Sequence, residues 1–260
     1  MNDFDMIVRH FPSNDNIIVF LISDVHLGAK ECREQEFIQF INSIASMPNA
    51  YLILGGDIIN NATRSSVSNV FEELYRPMEQ KKMAAKILAP VAHKILCAVP
   101  GNHERRSGKD ADDDPTYDVL AKLDREDVYR PNMAFLKIQM GKINQSGDRN
   151  PTYTIVVTHG AGGGMLTSGS VLRGERMGYA VDGADCFVFG HHHRPFITQP
   201  GKIFIDTRNE KVSIKPLKVI GMTSWIDYGG YAMQKMLLPT SHCLHTLTLC
   251  GNHKEIIVTM

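Results

Sequence analysis

Five short apolar runs in this chain each stop at a polar residue able to bind a metal. "NIIVFLIS" ends at Asp24, "YLILGG" at Asp57, "KILCAVPG" at Asn102 and His103, "YTIVVT" at His159 and "CFVFG" at His191. Their strand length, β-branched and aromatic content and bounding Gly and Pro residues predict strands buried on both faces. Helical patterns fall between them. "ECREQEFIQFINSIAS" and "NVFEELYRPMEQKKMAAKILAPVA" carry apolar residues at helical spacing, with Pro77 expected to break or kink the second. "DPTYDVLAKL" offers Asp114 as N-cap and Pro115 at the first helical position.

Strands alternating with helices imply an α/β fold, in which ligands bind beyond the carboxyl ends of the strands. The five polar termini are therefore expected in one region, where Gly55, Gly56, Gly101, Gly160 and Gly190 suit sharp turns. From about residue 196 the texture changes to strands and turns. No Pro/Gly/Ser-rich linker intervenes, so residues 196–260 are expected to form a second sheet completing one domain of residues 1–260.

A lone Asp after a strand commonly caps a helix. Histidine is not a favoured cap, and four of the five strand ends carry imidazole, so capping explains the set poorly. In an extended segment residues i and i+2 point the same way. Asp24 and His26 then converge, as do His191 and His193 in "FGHHHRP", while His192 turns away.

Asp24, His26, Asp57, Asn102, His159, His191 and His193 are too many for one tetrahedral zinc and suit two metals with a shared carboxylate. Imidazole mixed with carboxylate and amide oxygen favours Mn, Fe, Zn or Ni over Mg or Ca. Two such ions about 3.5–4 Å apart clamp an in-line displacement at phosphorus and make hydroxide available at neutral pH.

The ordered blocks "DVH", "GGD", "GNHE", "THG" and "GHHH", spread over residues 17–195, resemble the calcineurin-like metallophosphoesterase superfamily. The resemblance implies a four-layer α-β-β-α sandwich. It implies one metal held by Asp24, His26, Asp57 and His193 and another by Asp57, Asn102, His159 and His191, with Mn favoured. It also implies that His103 binds no metal and serves the leaving oxygen or the transition state. "GDIINN" and "TSWIDYGGYAM" look like stand-alone phosphoesterases of bacteriophages and bacteria.

The protein Ser/Thr phosphatase branch carries arginines that grip phosphate. Here Asn60, Asn61 and Pro100 stand at those places. Arg105 and Arg106 are alternative phosphate ligands, although paired arginines on a charged loop are more often solvated, and "KDADDD" reads as such a loop. A second "GNH", Gly251–His253, reads as a hairpin turn out of order with the blocks. Cys243, His245, Cys250 and His253 lack the paired spacing of a zinc site.

Charge adds a bound. Lys plus Arg and Asp plus Glu are 28 each, for a formal net charge of zero, which argues against a protein that blankets long nucleic acid. The five scattered cysteines fit reduced thiols, and the absence of a signal pattern or a long apolar run fits a cytoplasmic protein without a membrane partner. The expected activity is binuclear metal-dependent phosphodiester hydrolysis on a nucleotide or nucleic acid, with Trp225, Tyr228 and Tyr231 available to stack a base. The alternatives are a phosphomonoesterase and a non-catalytic nucleic-acid-binding homologue.

Overall fold

Val19 and Leu21 turn to one side of their strand while Phe20 and Ile22 turn to the other, and this alternation sets the layering. The computed structural model describes residues 4–64, 66, 70–142, 150–162 and 166–260. In chain order they form β1 (Met6–Phe11), β2 (Ile17–Ile22), α1 (Glu34–Ser46), β3 (Ala50–Leu54), α2 (Pro77–Leu88), β4 (Ile95–Ala98), α3 (Glu104–Ala111) and α4 (Pro115–Ala121). Then come β5 (Met133–Met140), β6 (Thr152–Thr158), α5 (Thr167–Ala180), β7 (Cys186–Phe189), β8 (Phe196–Thr198), β9 (Gly201–Asp206) and β10 (Lys211–Pro216). The chain ends with β11 (Lys218–Gly221), α6 (Gly230–Gln234), β12 (Thr246–Leu249) and β13 (Ile256–Thr259).

Two mixed sheets result, ordered β13-β12-β2-β3-β4 and β1-β5-β6-β7-β11-β8, with β9 and β10 as a separate ribbon. The strands that carry the polar termini run parallel to their neighbours, β2 with β3 and β4, and β6 with β7. Leu21, Ile53 and Cys97 of the first sheet join Leu136, Ile155, Val157, Val188 and Ile220 of the second in one buried core. On the outer face of the first sheet Leu52 and Leu54 pack with Phe37, Ile41, Leu88 and Leu120 of α1, α2 and α4. On the outer face of the second, Val156, Phe187 and Val219 pack with Val171 of α5. The fold is the expected four-layer α-β-β-α sandwich.

Two local expectations change. Residues 196–260 do not form one second sheet: β8 and β11 extend the sheet of β5–β7, β12 and β13 extend the sheet of β2–β4, and β9 and β10 pair only with each other. Pro77 does break the second helical pattern: α2 begins at it, where its missing N–H costs nothing in the first turn. The helix α3 runs to Ala111, so Arg105, Arg106 and the start of "KDADDD" lie on a helix; Asp114 does cap α4, accepting from Tyr117 N at 3.0 Å.

The helix α5 was not evident in the sequence because its glycines weaken the helical signal. Gly174 is required by packing: a Cβ there would come within 2.4 Å of the Phe189 ring. All five cysteines are free, and among the described residues no helix is long and apolar enough to cross a membrane.

Candidate metal centre

The loops that leave β2, β3, β4, β6 and β7 bring the sequence-predicted residues together. Ring and carboxylate atoms of Asp24, His26 and His193 lie within 4.8 Å of one another, and so do those of Asp57, His159 and His191. His193 Nε2 is 3.2 Å from Asp24 Oδ1 and 3.2 Å from His26 Nε2. Asn102 joins the second group, its Oδ1 3.0 Å from His159 Nε2 and 2.6 Å from His191 Nδ1. Asp57 stands between them, with Oδ2 3.2 Å from His159 Nε2 and 3.9 Å from His26 Nε2, while Oδ1 accepts the backbone N–H of His103 at 2.8 Å.

The convergence has a different cause from the extended alternation expected. Asp24, His26, Asp57, His191 and His193 all have φ between 52° and 71°, in the left-handed region that non-glycine residues seldom adopt. Each such residue costs about 1–3 kcal/mol and persists only where the surroundings over-determine it. His191 and His193 consequently both enter the site but join different groups. His192 lies outside: its ring packs against Phe189 at 5.9 Å, its Nε2 is buried without a partner, and burial depresses its pKa to about 4.

Hydrogen bonds from behind orient the rings. His159 Nδ1 meets Gly55 O at 2.8 Å and His26 Nδ1 meets Asn60 Oδ1 at 3.2 Å. Donation through Nδ1 turns each Nε2 inward, where loss of any proton it carries leaves the lone pair a metal-binding histidine needs. Burial alone would raise the Asp24 carboxyl, but His193 and His159 draw it down to about 2. Burial opposes a proton on His159, yet Asp57 raises that imidazole to about 10. Buried carboxylates, an amide oxygen and imidazole lone pairs collected in one place form a donor set that fits divalent cations.

Glu104 is a positioning residue of the site that the sequence blocks did not single out. Its buried carboxylate accepts backbone N–H groups of Asp57 (2.9 Å), Ile58 (2.7 Å), Ile59 (3.2 Å) and Gly101 (2.8 Å), tying the loop after β3 to the loop after β4. Burial and the neighbouring Asp57 push its carboxyl up to about 7. The signal available was an acid directly after "GNH". Asn60 and Asn61 are also committed: the Asn60 carbonyl meets His103 Nδ1 at 2.7 Å, and Asn61 Nδ2 donates to His103 O at 2.8 Å.

The two arginines part. Arg105 turns to Asn132 and Pro131, away from the site, whereas Arg106 Nη2 donates to His103 Nε2 at 3.0 Å. Trp225 is only 3% exposed and packs on Phe37 and Phe40, so it offers no face to a base. Tyr228 is exposed and donates to Leu237 O, and the side chain of Tyr231 lies outside the described residues. The second "GNH" is the β12–β13 turn, where Cys250 and His253 group with Glu255 rather than with Cys243 and His245.

Residues 17–195 match a family model described as calcineurin-like phosphoesterase. Over 134 residues the chain is 30% identical to the DNA polymerase II small subunit of Thermoplasma acidophilum, a match covering 49% of this chain and 25% of that protein. Among solved structures, the calcineurin-like phosphoesterase YfkN of Bacillus subtilis aligns at 12% identity and a TM-score of 0.41, over 94% of this chain and 90% of that one. The NAD nucleotidase of Haemophilus influenzae aligns at 10% identity and a TM-score of 0.41, over 94% and 49%.

Proposed function

Because the chain belongs to the calcineurin-like phosphoesterase family and is a metal-dependent phosphoric ester hydrolase, we propose that it cleaves phosphodiesters of a nucleotide or nucleic acid at a two-metal site. The observation that carries the two-metal reading is Asp57, whose Oδ2 faces both ligand groups. In this reading Asp24, His26, Asp57 and His193 hold one ion, and Asp57, Asn102, His159 and His191 the other. Mn²⁺ suits this mixed set. Bound there, divalent cations supply Lewis-acid stabilisation of phosphoryl oxygens and acidify a water.

The chain's own groups do the rest. In this reading His103, although its ring also groups with His26 and Asp57, binds no metal and turns Nε2 to the scissile phosphate, its Nδ1 held by the Asn60 carbonyl. Through Nε2 it serves the leaving oxygen, as a proton donor or as a stabiliser of developing charge. Arg106 is positioned to take a non-bridging phosphate oxygen.

A diester preference follows from what Asn60 and Asn61 do. They stand where the phosphatase branch has its clamp, and here they orient His26 and His103 instead. A singly charged diester needs less cationic help than a dianionic monoester. The identity with a DNA polymerase small subunit supports a nucleic-acid substrate, and zero net charge supports a short or single-stranded one. Base stacking on Trp225 is not part of this reading, since that ring is core.

The test compares bis-nitrophenyl phosphate, nitrophenyl phosphate, cyclic nucleotides and a labelled oligonucleotide under one Mn²⁺ condition. Diester cleavage ahead of monoester cleavage is expected. Rapid turnover of nitrophenyl phosphate with none of any diester would assign a phosphomonoesterase.

A further inference from the structure

The ribbon formed by β9 and β10 is amphipathic in the wrong sense. Its antiparallel register pairs Ile203 with Ile214 and Ile205 with Val212, placing all four side chains on one face. That face points to solvent: Ile203 is 76% exposed, Ile205 67%, Val212 70% and Ile214 75%. The other face carries Lys202, Phe204 and Asp206 opposite Lys215, Ser213 and Lys211. On this face the β9 residues are partly covered by the protein, while β10 is exposed throughout. Lys202 Nζ donates to the carbonyls of Gly178 (2.7 Å) and Val181 (2.6 Å) at the end of α5, and Lys215 Nζ sits 3.0 Å from the Phe204 ring centroid.

A solvated ribbon normally presents its polar face to water, and a two-stranded ribbon alone is marginally stable. Sliding the pairing by one residue would invert the arrangement, yet the contacts of Lys202 hold it. Four β-branched side chains kept in water therefore imply a cover.

We propose that this face is a dimerisation surface, covered by the same face of a second copy of this chain. Three features choose that occupant. The face holds no charge, and the basic residues of the strands lie on the opposite side, so it lacks what an acidic peptide, anionic membrane or nucleic acid would require. The paired register makes the patch nearly self-complementary: rotated by 180°, it presents isoleucine and valine to isoleucine and valine, as an isologous contact demands. Its area also suffices. Wholly covered, four residues at these exposures remove roughly 500 Å² per copy and about 1,000 Å² per pair, the lower bound for a specific interface. The two ribbons would stack face to face at about the 10 Å spacing of packed sheets.

Sedimentation of the full chain over a concentration series tests this, comparing the native sequence with Ile203→Glu/Ile214→Glu and with Lys211→Glu. The native chain and Lys211→Glu are expected to dimerise. The double variant should have its dimer constant weakened roughly a hundredfold or more, because two desolvated charges would meet their own copies. These side chains are exposed in the monomer, so the double variant should keep its circular dichroism and its rate on bis-nitrophenyl phosphate. A monomeric native chain, or a dimer that survives in the double variant, overturns the proposal. Sedimentation of the native chain with lipid vesicles, lost in the double variant, would also overturn it by naming a different cover.

Discussion

The guanidinium of Arg106 donates to Nε2 of His103 at 3.0 Å. The same imidazole is held from behind by the Asn60 carbonyl, 2.7 Å from Nδ1. While Arg106 donates to Nε2 the ring carries its proton on Nδ1 alone, so Nε2 donates to a leaving oxygen only after Arg106 has moved off and a proton has been taken up there. Burial, with Arg106 adding to it against the pull of Asp57, keeps its pKa low. An arginine that faces the nitrogen proposed to serve the leaving oxygen is placed to exchange that contact for a phosphate oxygen. Arg106→Ala is expected to lower kcat/KM roughly 10²-fold with metal content unchanged. Arg106→Lys should recover only part, because a point charge cannot reproduce the planar fork. Arg105→Ala should leave turnover near native. Steady-state kinetics with metal analysis checks all three.

His103 should separate binding from chemistry. His103→Ala is expected to retain its metals and lose roughly 10²–10⁴-fold in rate on substrates with basic leaving groups, and less with nitrophenolate. A leaving-group series measured on both proteins reads the difference as a change of slope. Loss of metal in the variant would make His103 a ligand.

The histidine row should respond unevenly. His191→Ala and His193→Ala each empty a position in a different ligand group and should abolish most turnover. His192→Ala removes a ring packed on Phe189 and should leave turnover within about tenfold, with stability lowered by about 1–2 kcal/mol for the lost packing. Denaturant melts paired with rates distinguish the two kinds of damage.

Metal content tests the bridge. Asp57→Ala should lower occupancy at both positions in protein prepared with excess Mn²⁺, whereas Asp24→Ala should spare the position lined by Asn102, His159 and His191. Elemental analysis per chain gives the count, and a chelator should silence the native protein.

Away from the site, Lys81 joins α2 to α4 through Asp113 at 3.0 Å and Asp118 at 2.7 Å. The hydrogen bond from Lys81, opposed by burial, holds the Asp118 carboxyl below the usual carboxylate range. A depressed folded pKa contributes stability that is present above the unfolded value and disappears as pH falls through the folded one. Lys81→Met should therefore cost about 0.5–1 kcal/mol near neutrality, solvent screening at a carboxylate 39% exposed keeping it small. The difference from the native protein should vanish in strong acid, as denaturant melts across pH will show.

The membership of the cluster was legible in the sequence because it is set locally. A buried parallel strand needs an unbroken apolar run, and a loop leaving its carboxyl end must start with the residue that follows. Asp24, Asp57, Asn102, His159 and His191 could thus be read directly from where each run stops. The α/β class followed from the same alternation of strands and helices, whereas the four layers were implied by the resemblance that the ordered blocks carry.

What only the tertiary structure decided depends on contacts between distant segments. The left-handed backbone at Asp24, His26, Asp57, His191 and His193 is stabilised by surrounding loops, and no local propensity foretells it. Glu104 gains its role from N–H groups on a loop some 45 residues away. Trp225 became core because α1 presents Phe37 and Phe40 to it, and Arg106 reached His103 because α3 begins at Glu104 and brings residues three apart onto one face of its first turn. The outward face of the β9–β10 ribbon is of the same kind. Its alternating pattern is plain in the sequence, but which side faces water was settled by Lys202 meeting the end of α5, since periodicity alone does not say where the core lies.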